Sequence, residues 1–197
     1  MPETPARPIH DHVFRNAVIY DGTGAAPFTG EIAISGDRIV AVGAAGSIAK
    51  GSGTTEHDLT GRAIAPGFID AHTHDDRIVL DKPDMLPKIS QGVTTVVGGN
   101  CGISLAPVLF AGDPPPPMNL LGGRNAYEFP DFKAYATAIA ETVPGVNVAA
   151  LVGHLALRLA TMSDITAKAN AHEIGAMLEL VEEAMENGAA GFSTGLF

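Results

Sequence analysis

Short runs in which apolar and polar residues alternate fill the first sixty positions of the chain. Residues 13–19 have the alternation of a strand, and residues 31–35 and 38–42 form two more such runs, separated only by Gly36 and Asp37. A Gly-Asp pair between alternating runs is typical of a β-hairpin. No helical spacing of apolar residues occurs in this part, so we predict a small all-β unit.

After residue 62 the pattern changes to continuous apolar runs with helical periodicity between them. Such runs are typical of parallel strands that are covered on both faces. The four runs occupy residues 63–70, 92–98, 147–153 and 188–193. Helical spacing of apolar residues predicts helices over residues 132–141 and 170–187, and Gly188 stands where the second helix should stop.

The alternation of strands and helices defines the fold class. Units of this kind build doubly wound sheets and (β/α)₈ barrels, and a complete barrel takes about 250 residues. We therefore predict an α/β fold, with a β unit over residues 1–62 and the first half of a TIM-type barrel, about four βα units, over residues 63–197. Residues 112–130 contain four successive prolines and are either a flexible linker or a loop that covers a site.

Composition is that of an ordinary globular protein, since 46% of the 197 residues are hydrophobic and 17% are charged. No apolar run approaches the roughly 20 residues that cross a bilayer. The first residues lack a secretory signal, so we expect a cytoplasmic protein with no membrane partner. A formal net charge of −10 with scattered basic residues argues against nucleic-acid binding.

Two histidines, His72 and His74, directly follow the first apolar run of the second part. Side chains at i and i+2 of an extended backbone point to the same side, so both imidazoles can reach one metal ion. Imidazole suits zinc, nickel, cobalt and iron. In barrel enzymes the active site lies at the carboxyl ends of the strands, where this pair falls. The neighbouring Asp70, Asp75 and Asp76 are candidates for orienting the rings.

The single cysteine of the chain, Cys101, excludes an internal disulfide and occupies an equivalent place after the next strand. It comes after residues 93–97, within the segment Gly98-Gly99-Asn100-Cys101-Gly102, rather than inside the apolar run as a core thiol would. Thiolate is a strong zinc ligand. On the barrel interpretation, adjacent strands bring Cys101 next to the histidine pair, which favours a shared metal centre over a buried thiol.

Other polar residues give weaker indications. His154 ends the third apolar run and either lines the substrate pocket or is a structural, hydrogen-bonded histidine. His172 and Glu173 fall on the predicted outer helix, where solvated roles are expected. Ser193 and Thr194 have no base nearby in sequence, so pocket lining or backbone capping is favoured over covalent catalysis. No chemistry is assigned to His10, His12 and His57.

Several of these segments resemble a known family. Residues 65–74 (APGFIDAHTH) resemble the first-strand signature of the amidohydrolase superfamily. Residues 92–102 (GVTTVVGGNCG), 151–154 (LVGH) and 191–196 (GFSTGL) narrow the resemblance to the N-acyl-D-amino-acid deacylases, or D-aminoacylases. The resemblance runs from about Val13 to the last residue, and Asn-Cys-Gly is its most discriminating stretch.

This resemblance implies a (β/α)₈ barrel joined to a β-sandwich, with residues 1–62 as the N-terminal part of the sandwich. It implies bound Zn²⁺, as one or two ions or another divalent metal, with His72, His74 and Cys101 matching family ligands. The implied reaction is hydrolysis of the amide of N-acyl-D-amino acids. The family's general acid and base, an aspartate, and its further histidine ligands would lie beyond Phe197. Many members of the superfamily bridge two metals with a carboxylated lysine on the fourth strand. The fourth run of this chain has no lysine, which fits a bridging cysteine.

Three interpretations therefore stand. The first is an N-acyl-D-amino-acid deacylase represented by its N-terminal part, the second an amidohydrolase for a cyclic amide or another acylated substrate. The third is a truncated, non-catalytic relative that folds or acts only with a partner. An open half barrel exposes a sheet edge, so we expect a complementary polypeptide with the remaining strands, or self-association. We expect no turnover by this chain alone.

Overall fold

The computed structural model describes residues 10–195, which divide between Pro66 and Gly67 into two compact units. The polar N-terminal tail, the final Leu196 of the last family motif and the outer ends of both predicted domains lie outside the described residues. Within residues 10–195, no helix has the length and apolar character required to cross a membrane.

The first unit is one five-stranded sheet that contains the predicted hairpin. Its order is β3-β2-β1-β4, and β5 also pairs with β1. The strands are β1 (His12–Ile19), β2 (Phe28–Ser35), β3 (Arg38–Ala44), β4 (Thr55–Asp58) and β5 (Ala63–Ile64). Ser35 pairs with Arg38 across the tight turn, as the alternation of apolar residues predicts. Apolar clusters form around Val13 and around Ile19.

A buried carboxylate, Glu31, anchors a loop of this sheet. Its side chain is 2% exposed and lies 2.8 Å from Arg15 Nη1. It also accepts hydrogen bonds from the backbone N–H groups of Gly46, at 2.8 Å, and Ile48, at 3.1 Å. The carboxylate therefore fixes the loop that follows β3 to the middle of β2.

The second unit is built on a four-stranded parallel sheet in the order β6-β7-β8-β9, which is part of a TIM-type fold. The strands are β6 (Phe68–Asp70), β7 (Val93–Gly98), β8 (Asn147–Gly153) and β9 (Gly191–Ser193). The helices are α1 (Ile78–Asp81), α2 (Leu86–Ile89), α3 (Phe132–Thr142), α4 (His154–Thr161) and α5 (Ala171–Glu186). Sequential parallel strands joined through helices agree with the predicted βα units.

The boundary between the units lies four residues later than the predicted division between residues 62 and 63. The apolar run 63–70 is two strands rather than one, because β5 pairs with β1 while β6 pairs with β7. Pro66 separates them, and proline has no N–H to donate to a sheet ladder. Residues 63–66 therefore belong to the β unit.

Local sequence explains the two long helices of the second unit. Asp131 caps α3 by accepting from the Ala134 N–H, and Asn170 caps α5 in a reciprocal capping box with Glu173. Gly188, with φ of 92°, follows the last turn of α5. Both helices match the predicted ranges to within a residue.

The proline-rich segment 112–130 is packed rather than a flexible linker. It contains 3-10 turns at Met118–Leu121 and Arg124–Ala126. Met118 is fully buried, and the hydroxyl of buried Tyr127 donates to its carbonyl. Both residues join the main core, which also includes Tyr135, Val152 and Leu157.

Candidate metal centre

Two neighbouring strands bring the predicted ligands together. His72 and His74 follow the carboxyl end of β6, and Cys101 follows that of the adjacent β7. One donor atom from each of these residues lies within 4.8 Å of the other two. His72 Nε2 is 3.1 Å from Cys101 Sγ. In this part of the chain, therefore, two imidazoles and one thiol converge on one point.

The segment that carries the histidines continues beside β7. The backbone N–H of Thr73 donates to the Val97 carbonyl at 3.1 Å, and its hydroxyl contacts the same oxygen at 3.1 Å. Thr73 is buried, whereas His72 is exposed and His74 is half-buried. Their ring centroids are 5.9 Å apart, which is the outcome expected for i and i+2 on an extended backbone.

The donor set fits a divalent transition metal. Thiolate and imidazole are the ligands of zinc sites in proteins. Among the described residues, the buried His74 Nδ1 has no hydrogen-bond partner. Burial, together with repulsion from His72, lowers the pKa of His74, and this favours the neutral ring that binds metal. Three donors from this chain would therefore hold such an ion.

The turn that carries Cys101 has an unusual backbone. Cys101 lies in the left-handed region with φ of 54°, and Gly99 and Gly102 have φ of 77° and 76°. A non-glycine residue in this region costs roughly 1–2 kcal/mol. Such strain concentrates at functional sites, where the surroundings impose it. The glycines that flank Cys101 are therefore required by the turn.

The three aspartates around the histidines hold backbone and helix rather than the rings. Asp70 and Asp75 lie 2.7 Å and 2.8 Å from Lys88 Nζ on α2, a contact that the sequence did not reveal. The Lys88 contact holds the pKa of Asp70 below its usual value. Asp76 is 2% exposed. Burial raises the pKa of Asp76 to about 6, against a hydrogen bond from the Gly99 N–H.

His154 begins α4 immediately after β8 and lines a cavity of ≈ 560 Å³. Its Nδ1 is 3.2 Å from the Thr194 hydroxyl. Burial, followed by the charge of Arg158, lowers the pKa of His154. The His154 ring is hydrogen-bonded and also lines a cavity, so the structure agrees both with a structural histidine and with a pocket-lining one. Pro116 and Pro117 of the packed segment line the same cavity.

The remaining candidates lie elsewhere. His12 Nδ1 and His57 Nε2 are 3.2 Å apart in the first unit, and His10 is in the same unit. His172 is exposed on α5, whereas Glu173 accepts from the Asn170 N–H in the capping box. Glu173 therefore caps the start of α5, whereas the sequence predicted only a solvated side chain.

Two further polar residues fix the Cys101 turn. The Asn100 side chain donates to the carbonyls of Val97, at 2.7 Å, and Thr73, at 3.2 Å. The Ser193 hydroxyl contacts both Gly99 and Gly102. The position of Asn100 beside Cys101 is a usable signal. The Ser193 contacts agree with the expected backbone capping, but the sequence does not indicate which part of the backbone is capped.

Similarity to known proteins agrees with this arrangement. A profile of the amidohydrolase family matches residues 55–197. The chain is 45% identical over 197 residues to a D-aminoacylase from Alcaligenes xylosoxydans xylosoxydans, covering 100% of this chain and 40% of that protein. It is 48% identical over 187 residues to an N-acyl-D-aspartate deacylase of the same organism, covering 95% of this chain and 37% of that protein.

Solved structures show the same relationship. A D-aminoacylase described by its binuclear metal centre superposes with a TM-score of 0.88 at 45% identity, over 94% of this chain and 38% of that one. An N-acyl-D-glutamate deacylase from Bordetella bronchiseptica, solved with zinc and a phosphonate mimic of the tetrahedral intermediate, superposes with a TM-score of 0.84 at 43% identity. That match covers 95% of this chain and 38% of the other.

These similarities confirm the resemblance to D-aminoacylases that the motifs indicate. The chain spans about 40% of the length of the curated relatives it matches. The family profile extends over most of the chain, from residue 55 to residue 197. The chain belongs to the amidohydrolase family.

Proposed function

We propose that this chain supplies the metal-binding part of an enzyme that hydrolyses the amide bond of N-acyl-D-amino acids. The observation that carries the proposal is the convergence of His72, His74 and Cys101 within 4.8 Å at the ends of two adjacent strands. Identity of 45–48% to a D-aminoacylase and an N-acyl-D-aspartate deacylase supports the substrate class.

The metal would be Zn²⁺ or another divalent ion, as one or two ions, held by the two imidazoles and the thiolate. Such an ion polarises an amide carbonyl and lowers the pKa of bound water. The chain's own residues orient the donors: Thr73 directs the two histidines to one side, and the turn after β7 directs the thiol towards them. The absence of lysine from residues 188–195 disfavours a cyclic-amide relative and fits a centre in which the Cys101 thiolate would be a metal ligand.

Proton transfer requires a general base, and three carboxylates flank the two histidines. Of the three carboxylates that flank the histidines, Asp70 and Asp75 contact Lys88, and Asp76 is buried against the turn. We assign none of these three as the general base. We therefore propose that further residues, on a complementary polypeptide or on additional sequence, complete the catalytic site.

Metal analysis and an activity assay test the proposal together. Purified wild-type chain should bind zinc, and Cys101→Ala or His74→Gln should weaken binding by more than the about 10–100-fold typical of outer-shell changes. His172→Gln, which removes an exposed histidine on α5, is the matched control and should bind as wild type does. Equal zinc affinity in all four proteins would contradict the metal centre.

Turnover of N-acetyl-D-amino acids should require the remaining barrel strands. The assay should compare the chain alone with the chain mixed with the corresponding C-terminal part of the D-aminoacylase relative. Hydrolysis only in the mixture, and only of the D-isomers, is the expected result. Zinc binding without hydrolysis in the mixture would instead favour the non-catalytic interpretation.

A further inference from the structure

The turn that carries Cys101 needs support from outside its own sequence. Three of its residues, Gly99, Cys101 and Gly102, have positive φ. The strained cysteine would relax towards negative φ if the turn were free. Such a rotation of the backbone would move Sγ away from His72 Nε2, which is 3.1 Å from it. Contacts that fix both ends of the turn therefore decide where the thiol points.

Ser193 on β9 makes contact with both ends. Its hydroxyl accepts a hydrogen bond from the Gly102 N–H at 3.0 Å and donates to the Gly99 carbonyl. A serine hydroxyl has one proton and two lone pairs, so a single group satisfies both backbone partners. Gly99 and Gly102 are buried, where an unpaired N–H or carbonyl is costly.

The other supports of the turn act from the histidine side. Asn100 links it to Val97 and Thr73. Ser193 approaches from beyond β8, the strand between β7 and β9. Backbone packing there is close, since a Cβ on Gly153 would lie 2.4 Å from the Gly102 carbonyl oxygen. The fourth strand thus closes the support on the side that Asn100 does not reach.

We propose that Ser193 is a positioning residue that holds the Cys101 thiol in the direction required for metal binding. This role rests on the proposed metal centre and extends it to β9, which contributes no ligand among its described residues. The hydroxyl acts on the metal only through the backbone of the turn. Its loss should therefore alter how Cys101 binds a metal and how exposed the thiol is.

Cobalt substitution tests this role. Co²⁺ bound by thiolate gives a charge-transfer absorption that reports the sulfur–metal bond directly. Ser193→Ala should weaken Co²⁺ binding by about 10–100-fold and reduce this band at saturating Co²⁺. In the metal-free chain it should also raise the rate at which iodoacetamide alkylates Cys101. Ser193→Thr keeps the hydroxyl and should restore all three properties.

Ser104→Ala is the matched control. Ser104 is also buried, donates to the Ala106 carbonyl and accepts from the Gly153 N–H at 3.0 Å, but neither of these hydrogen bonds reaches residues 99–102. It should lower thermal stability while leaving the cobalt band unchanged. An equal loss of the band in Ser104→Ala, or an unchanged band in Ser193→Ala, overturns the role of Ser193.

The outcomes also separate this role from the metal centre itself. A wild-type chain without a thiolate–cobalt band overturns the proposed centre, whereas a wild-type band that Ser193→Ala reproduces overturns only the positioning role. Should Ser193→Ala fail to fold, Ser193→Thr decides, because a folded threonine variant that lacks the band shows that the hydroxyl does not position the thiol.

Discussion

Two buried carboxyl groups of this chain, those of Glu31 and Asp76, differ in how well neighbouring groups compensate their charge. Glu31 is buried but compensated, by Arg15 and by two backbone N–H groups. Asp76 is buried with less compensation, and burial raises its pKa to about 6. A buried carboxylate is stable in its charged form only where enough donors replace water. Glu31 is therefore a structural anchor, whereas Asp76 is a buried carboxyl group whose pKa is raised.

Stability of the first unit should depend on the ionisation of Glu31. Burial alone would raise the pKa of Glu31, but hydrogen bonds from Gly46, Arg15 and Ile48 outweigh it and hold the pKa below its usual value of 4.5. The carboxylate thus contributes stability above 4.5 that is lost as the pH falls through the lower, folded-state pKa. Glu31→Gln should cost about 1–3 kcal/mol at pH 7.

Urea unfolding of wild type and Glu31→Gln between pH 7 and pH 3 checks this expectation. The difference in unfolding free energy between the two should shrink as the pH falls. Asp37→Asn, at a 90% exposed side chain, is the control and should match wild type throughout. A difference that stays constant with pH would show that ionisation of Glu31 plays no part.

Two glycines, one at the end of a strand and one inside a helix, have opposite surroundings and allow a matched comparison of alanine substitutions. A Cβ on Gly153, at the end of β8, would lie 2.4 Å from the Gly102 carbonyl oxygen, whereas a Cβ on Gly175, inside α5, would meet nothing within 4 Å. Gly153→Ala must therefore displace the backbone of the Cys101 turn. Gly175→Ala should stabilise the helix by about 0.5–1 kcal/mol, because alanine loses less backbone entropy.

Thermal unfolding and zinc titration of both variants test this expectation. Gly153→Ala should lower the melting temperature and weaken zinc binding, while Gly175→Ala should raise the melting temperature and leave zinc binding unchanged. Wild-type zinc affinity in Gly153→Ala would mean that β8 and the turn are not mechanically coupled.

The length of each element decides whether the sequence predicts it. The hairpin β2–β3 and the helices α3 and α5 are long enough for their apolar period, caps and turns to be read directly. Helices α1 and α2 have four residues each and show no period. Strands β5 and β6 form one apolar run in the sequence, and only their partners separate them.

The candidate site likewise has a part that the sequence predicts and a part that it does not. His72, His74 and Cys101 stand out because their chemistry and their place after apolar runs are local properties. The roles of Lys88 and Ser193 are not local, since Lys88 reaches Asp70 from 18 positions away and Ser193 reaches Gly102 from 91. Sequence patterns therefore predict the donors, whereas the contacts that hold them follow only from the folded sheet.

On the scale of the whole molecule, the outer strands of the parallel sheet are incompletely covered. Phe68 and Ile69 on β6 are each 65% exposed, and successive strand residues point to opposite faces. Phe192 on β9 is 48% exposed, whereas Val152 on the inner strand β8 is fully buried. Edge strands with exposed apolar side chains invite further pairing.

We therefore expect the chain to self-associate unless a complementary polypeptide covers these strands. Sedimentation velocity over a range of concentrations should show a rising average mass for wild type, and Phe68→Ser should reduce this rise. Val143→Ser is the control, because Val143 is 76% exposed but lies at the end of α3 rather than on an edge strand, and it should behave as wild type does. A wild-type chain that stays monomeric at all concentrations would contradict the expectation.

The contact between Ser193 and the Cys101 turn also has a consequence for the order of events during synthesis. Ser193 follows Gly102 by 91 residues, and at translation rates of about 5–20 residues per second it is made roughly 5–20 s later. The two histidines and the cysteine are complete before the group that supports their turn exists. During this interval the thiol is present, but the contact between Ser193 and its turn cannot yet form. On the role proposed for Ser193, the thiol would reach its metal-binding orientation only after the fourth strand has been made.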